Sequence, residues 1–337
     1  MVSEKILHNL KILNISAKSI YAADGYSVYS FARGNMLEYK VSRIERSCYS
    51  LLSSFFLTRR LFRAEITALY ELGEGAVLTV AKKGIYRKNH AQNDFRKVFS
   101  IPRGSKPLNL CILPNGHIFF GEYFQNLERD KVNVYGSEDG GMTWHIAYSF
   151  ASGNINHIHG LFYDPYTSRI WVLTGDRENE CIIGYTDDEF FSFHEFLRGG
   201  QEYRSCQLFF YEDFIVYVTD SQYIGNEIRA IDRRTCEITV LTEVQGSVIK
   251  GGQTGKVSYI STTVEPSPVN RDDFSHVWLT EDGCSWREVY RAKKDWLPAV
   301  FQFATFEFPQ NAVTAGKLWL SGRALSGHDG KTVCIEI

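Results

Sequence analysis

Ser137-Glu138-Asp139-Gly140-Gly141-Met142-Thr143-Trp144 is the stretch that decides how the chain folds. Its chemistry is that of a tight turn. The aspartate and hydroxyls accept backbone N–H groups, the glycine permits a sharp bend, and the tryptophan is left to pack beside it. Thr280-Glu281-Asp282-Gly283-Cys284-Ser285-Trp286 is a shortened copy. Thr186-Asp187-Asp188-Glu189-Phe190-Phe191-Ser192-Phe193 is a degenerate one, with Phe190 at the glycine position. From Trp144 to Phe193 is 49 residues, and from Phe193 to Trp286 is 93, close to one and two periods of a repeat.

Seven hairpin patterns share that period. Ser19–Ala22 and Tyr26–Phe31 flank Asp24-Gly25, and Thr67–Glu71 and Ala76–Val80 flank Gly73-Glu74-Gly75. Leu108–Leu113 and His117–Phe120 flank Pro114-Asn115-Gly116, and Gly160–Tyr163 and Ile170–Leu173 flank Asp164-Pro165. Gln207–Tyr211 and Phe214–Val218 flank Glu212-Asp213, and Val248–Gly251 and Lys256–Ser261 flank Thr254-Gly255. Gln302–Phe308 and Lys317–Ser321 flank a longer loop ending at Ala315-Gly316. Glycine-containing turns between apolar runs are hairpin signals. Gly25 to Gly316 spans 291 residues over six intervals, a mean of 48.5, and a four-stranded propeller blade needs roughly 40–50. An immunoglobulin-like sandwich would lack this longer period.

Composition agrees. Hydrophobic residues are 44% and charged residues 23%, which excludes a disordered chain and a coiled coil. Aromatic residues reach 14%, and they favour strands. The expectation is an all-β chain, one β-propeller domain over residues 1–337 with seven four-stranded blades, six or eight being the alternatives. The last blade lacks a fourth strand in the sequence pattern. Pairing it with Lys5–Leu13 would close the ring and remove an open edge. Cys48–Phe62 reads as either an outer strand or a short helix.

Net charge is −2 and no long basic block occurs, so no nucleic-acid partner is expected. The first residues lack the apolar core of a signal peptide, and no run approaches the ~20 apolar residues of a membrane span. These readings predict a cytoplasmic protein with no membrane partner. The 7 cysteines are scattered and never form CxxC, which argues against a disulfide framework or a cysteine-rich zinc site. Most of them are expected to be small buried hydrophobes.

The three turns resemble the Asp box, and the chain resembles the Asp-box (BNR-repeat) propellers, the architecture of sialidases and several polysaccharide lyases. The resemblance implies a structural role for the turns and brings no activity with it. Gly121-Glu122-Tyr123-Phe124, His157-Ile158-His159-Gly160, Tyr163-Asp164-Pro165, Thr174-Gly175-Asp176 and Thr219-Asp220 extend it. Together they are similar to a group of poorly characterised Asp-box proteins associated with microbial surface-polysaccharide loci. That similarity covers most of the chain after Leu108. Sialidases need an arginine triad and an early F/Y-R-I-P segment. Arg33, Arg204 and Arg323 could supply arginines, but the segment is absent, so sialidase chemistry is not implied.

Propeller geometry selects the candidate site. With strands A to D running from the channel outward, the starts of the A strands and the B–C loops share one face. Loops from many blades converge there over the channel. His157 and His159 alternate at the start of one innermost strand and so point the same way. Arg204 is suited to carboxylate binding. Tyr203, Glu122 and Asp176 complete the catalytic candidates. Tyr123, Arg129, Gln207, Asp220, Lys250, Glu265, Gln302 and Arg323 are the substrate-binding candidates. His157-x-His159 permits a metal site with Glu122 or Asp176 as oxygen donor without demanding one, and the reading carries no metal and no cofactor. Gly251-Gly252-Gln253-Thr254-Gly255-Lys256 has the wrong spacing and context for a P-loop.

The expected function is action on an acidic saccharide. In a lyase version His157 or His159 removes a proton, Arg204 neutralises the uronate carboxylate, and Tyr203 or Tyr123 protonates the leaving oxygen. In a hydrolase version two carboxylates among Glu122, Asp176, Asp220 and Glu265 act as a pair. A non-catalytic propeller that binds a glycan or protein is the alternative.

Overall fold

Seven antiparallel sheets follow one another along the chain, as seen in a computed structural model that describes residues 7–33, 35–45 and 47–337. Blade one holds Lys11–Ile15, Ser19–Asp24, Ser27–Ala32 and Asn35–Arg43 in that order. Blades two to six repeat the plan, each from an innermost strand A to an outer strand D. Their A strands are Ala68–Glu71, Cys111–Ile112, His157–Asp164, Ser205–Phe210 and Lys250–Thr254. Blade seven splits its inner edge between Thr305–Glu307 and Val313–Thr314, both paired with Lys317–Arg323, which then pairs Thr332–Glu336. The chain is a seven-bladed β-propeller.

The three turns form as their chemistry requires. Ser137 Oγ donates to Asp139 Oδ1, and the N–H groups of Met142 and Thr143 donate to Asp139 as well. Asp188 and Asp282 hold the equivalent N–H groups of Ser192 and Ser285. Each terminal aromatic packs between blades. Trp144 lies 5.3 Å from Phe120 and 5.8 Å from Phe99, and Phe193 lies 4.9 Å from Phe150. Gly141 needs its φ of +83°, and a Cβ there would stand 2.8 Å from Leu78 of the preceding blade.

Closure of the ring differs from the expected pairing. Of Lys5–Leu13, Lys5 and Ile6 lie outside the described residues, and Lys11–Ile15 is the innermost strand of blade one. The Ser19–Phe31 hairpin is therefore the B–C pair of blade one, whereas the other six hairpins are A–B pairs. Lys11–Ile15 still joins first blade to last. Ile12 N–H donates to Ser321 Oγ, and Ile15 N–H to the Gln310 carbonyl. Apolar burial favours this arrangement, because Ile12, Leu13 and Ile15 lie in the core, with Lys11 and Asn14 buried beside them. A solvent-facing edge strand would waste that burial.

Cys48–Phe62 is helical, as Cys48–Ser53 and Phe56–Phe62. Arg60 is 1% exposed and ties this insertion to blade seven through the Asp295 carboxylate and the Phe301 carbonyl. Of the cysteines, Cys111, Cys181 and Cys206 are buried, while Cys48, Cys236, Cys284 and Cys334 are exposed, which corrects the expectation that most are buried. The four sit on a helix, in turns and on an outer strand, where side chains face water. No helix among the described residues is long and apolar enough to cross a membrane.

Candidate functional site

The innermost strands of blades four and five begin with the same irregularity. A register shift falls between Ile158 and Gly160 in one and between Ser205 and Gln207 in the other. His159 and Cys206 are thus the extra residues of two bulges, which turn side chains off the sheet's regular alternation. His159 reaches the neighbouring blade, with Nδ1 2.9 Å from the Ser205 carbonyl oxygen. His157 Nδ1 stands 2.9 Å from the Phe124 carbonyl oxygen of blade three's B–C loop. The two rings meet with Nε2 atoms 3.1 Å apart. Gly175 makes room, since a Cβ there would stand 2.4 Å from His159 Cε1.

Around this pair the structure gathers Asp176, Arg204 and Tyr123. Asp176 Oδ1 lies 3.6 Å from His157 Nε2, 3.4 Å from His159 Nε2 and 2.9 Å from Arg204 Nη2. Asn156 donates to its other oxygen at 2.7 Å. The Tyr123 ring sits 4.4 Å from that of His157. Burial holds the His159 imidazole below its ordinary pKa, which keeps it neutral at pH 7. Burial also pushes the Tyr123 phenol well above its ordinary value.

A cavity of about 170 Å³ opens beside this group over the channel. His159, Tyr123 and Arg204 line it, with Asp220, Glu265, Lys250, Gln302 and Arg323. Burial pushes the Asp220 carboxyl up to about 7 against the pull of Arg204, with Glu265 adding to the rise. Burial likewise raises Glu265. Arg204 Nε and Arg323 Nε are buried donors with no hydrogen-bond acceptor. Below the mouth Glu307 is a hub: Lys11 lies at 2.5 Å, Arg323 at 2.9 Å and Lys250 at 3.9 Å.

Other predicted residues lie elsewhere. Glu122 is 2% exposed and holds Arg103, the Asn133 N–H and the Tyr135 hydroxyl, so it braces blade three. Arg129 forms an ion pair with Glu180 at 2.5 Å and ties the loops of blades three and four. Tyr203 belongs to the short turn Gln201–Tyr203 and packs on the apolar cluster of blades four and five, away from the cavity that Arg204 lines. Gln207 donates to the Ile249 carbonyl and faces the wider opening at the far side of the channel. For Glu122, Arg129 and Gln207 a neighbouring partner sets the direction of the side chain, whereas Tyr203 is turned aside by its apolar packing.

Sequence reasoning missed Lys106, Arg63, Lys11, Glu65 and Glu307. Lys106 and Arg63 line the cavity, and burial pushes the Lys106 ammonium down to about 7. Lys11 was hidden by assigning its strand to the wrong blade. Glu307 ends the strand Thr305–Glu307, opposite the strand entry that was searched. Arg63 follows the helical insertion, whose position over the mouth has no signal in the sequence.

No protein-family model matches the chain, and no curated protein matches it. Solved structures do. A GH74 enzyme from Niastella koreensis aligns with a TM-score of 0.54 and 14% identity, over 82% of this chain and 44% of that one. They share a β-propeller. The chain spans less than half the length of that enzyme. YCF48 bound to D1 peptide aligns with a TM-score of 0.57 and 10% identity, over 98% of this chain and 94% of that one. The WD40 propeller domain of Doa1 aligns with a TM-score of 0.55 and 9% identity, over 94% and 91%. At these identities the likeness is one of fold.

Proposed function

We propose that this propeller takes an acidic saccharide into the channel mouth and cleaves it hydrolytically, with Asp220 and Glu265 as the carboxyl pair. The observation that carries the reading is the convergence of five basic side chains on one cavity, two of them with a guanidinium Nε–H that has no hydrogen-bond acceptor. Among the described residues, Arg63, Lys106, Arg204, Lys250 and Arg323 line it against two acidic residues, Asp220 and Glu265, in a chain of net charge −2. A buried guanidinium N–H without an acceptor is costly, and a ligand carboxylate would supply one. Arg204 Nε and Arg323 Nε are such groups.

Of the four carboxylates considered for a hydrolase, only Asp220 and Glu265 line the cavity. Asp220, held near neutrality, suits the role of proton donor to a leaving oxygen. The lyase version has less support. Both His157 and His159 turn their Nε2 atoms toward each other and Asp176, which leaves neither aimed at a substrate proton. The GH74 enzyme among the structural neighbours belongs with a glycan reading, and kinship with the Asp-box propellers is part of the same proposal.

The test is incubation of the purified protein with carboxylated oligosaccharides, reading new reducing ends. Cleavage that Asp220→Asn abolishes, while binding persists, is the expected result. Products absorbing in the ultraviolet would replace hydrolysis by elimination. Binding without turnover across the panel would make the chain a binding module.

A further inference from the structure

We infer that His157, His159 and Asp176 form a site for one divalent transition-metal ion, of which zinc fits best. The inference stands apart from the saccharide reading, since it rests on three ligand atoms only.

The argument begins with the far side of each ring. A carbonyl oxygen can only accept, so the Phe124 and Ser205 carbonyls at 2.9 Å place a proton on Nδ1 of both His157 and His159. In the neutral imidazoles each Nε2 then offers a lone pair. These two lone pairs lie 3.1 Å apart and face Asp176 Oδ1 at 3.6 and 3.4 Å. Three electron-rich atoms so close repel one another unless a cation sits among them. One shared proton would bridge two of them and leave the third, even with Arg204 donating to Asp176 Oδ1, still facing their lone pairs. An ion bound at the usual zinc distances, about 2.0–2.2 Å, spaces tetrahedral ligands by roughly 3.4 Å. The three observed separations bracket that value.

The surroundings are those of a built site. The two carbonyls fix the tautomer and orientation of the rings, as partners of metal-bound histidines do. Asn156 holds Asp176 Oδ2 at 2.7 Å, and Arg204 donates to Oδ1 at 2.9 Å, leaving that oxygen a second lone pair. Tyr123 packs against the His157 ring. The histidine side chains are 8% and 2% exposed and that of Asp176 34%, so the two nitrogen ligands are shielded, while His159 borders the cavity and leaves the fourth position facing it. His159, Cys206 and Asp220 also lie close together. That set is satisfied internally, because Cys206 donates to Asp220 at 3.2 Å and His159 Nδ1 is committed to Ser205.

The experiment treats the full chain with a chelator and titrates it with zinc chloride by calorimetry, then with cobalt chloride by absorption. One ion per chain and the intense visible bands of four-coordinate cobalt are expected. His159→Gln and Asp176→Asn should each weaken zinc at least about tenfold, while His117→Gln, remote from the site and paired with Glu189, leaves it unchanged. Circular dichroism of each metal-free variant guards against misfolding, and should either ligand variant misfold, nitrogen NMR of the wild-type histidines decides. Zinc must then shift both Nε2 resonances. Absence of saturable binding, binding kept by the folded ligand variants, or Nε2 resonances of a proton-bridged pair that zinc does not move would overturn the site.

Discussion

Asp139 shows how much one side chain contributes to a blade turn. Burial raises its carboxyl, but hydrogen bonds from Thr143, Ser137 and Met142 outweigh that and leave it at about 2. A carboxyl depressed in the folded state stabilises the fold above its unfolded pKa and stops doing so as pH falls through the folded one. Asp139→Asn should therefore lower the thermal midpoint at pH 6, and the gap to wild type should close between about pH 4 and pH 2. A gap that stays constant over that range would contradict the assignment. The copy of this turn at Thr186–Phe193 exposes a limit of pattern reading. Phe190 holds a φ of 78° in the glycine position and is 2% exposed, 5.3 Å from Phe119. Its ring fills space between blades, and that packing outweighs backbone strain of about 1–2 kcal/mol. The sequence marked the substitution as degenerate without showing what offset it.

Elements were legible where a turn announced them. Asn115-Gly116 and Gly73-Glu74-Gly75 placed strands in blades three and two, and the structure has Ile118–Gly121 and Ala68–Glu71 there. Lys11–Ile15 failed because no such turn frames it, so the Asp24-Gly25 hairpin was read one strand too far inward. The bulge at His159 also has no sequence signature, yet it lets the histidine cross to blade five. The helices Cys48–Ser53 and Phe56–Phe62 expose Leu51, Phe55, Phe56 and Leu57 to water, so no buried apolar stripe marks them as helices. Their anchors are Arg60 and, beside it, Arg59, which pairs with Asp329 at 3.0 Å, rather than a core. Removing one partner of a buried ion pair costs about 3–5 kcal/mol. Arg60→Ala should release the insertion from blade seven, raising protease cleavage within residues 47–63 at temperatures where the blades stay intact. Unchanged cleavage there would mean that the insertion is held by other contacts.

At the scale of the molecule, the ring brings together residues that are remote in sequence. Glu307 meets Lys11 across nearly the whole chain, and Arg204, Lys250 and Arg323 arrive at the cavity from three blades. Strand ends could be read as polar one by one. Which of them converge depends on bulges, on ion partners such as Glu180 for Arg129, and on the frame of blade one. That is why Arg204, Asp176 and the histidines were found together, while Glu122 and Tyr203 were placed with them and belong elsewhere. The ring also leaves Arg204 Nε and Arg323 Nε without hydrogen-bond acceptors at its mouth, and in the proposed function the carboxylate of an acidic saccharide supplies one. Calorimetry of a carboxylated oligosaccharide and its neutral methyl-ester counterpart, on wild type and on Arg204→Met, tests this most directly. The account predicts at least about tenfold tighter binding of the acid by wild type, some 1.4 kcal/mol, and loss of that preference in Arg204→Met. Equal affinity for acid and ester, or a preference that survives the substitution, would contradict it.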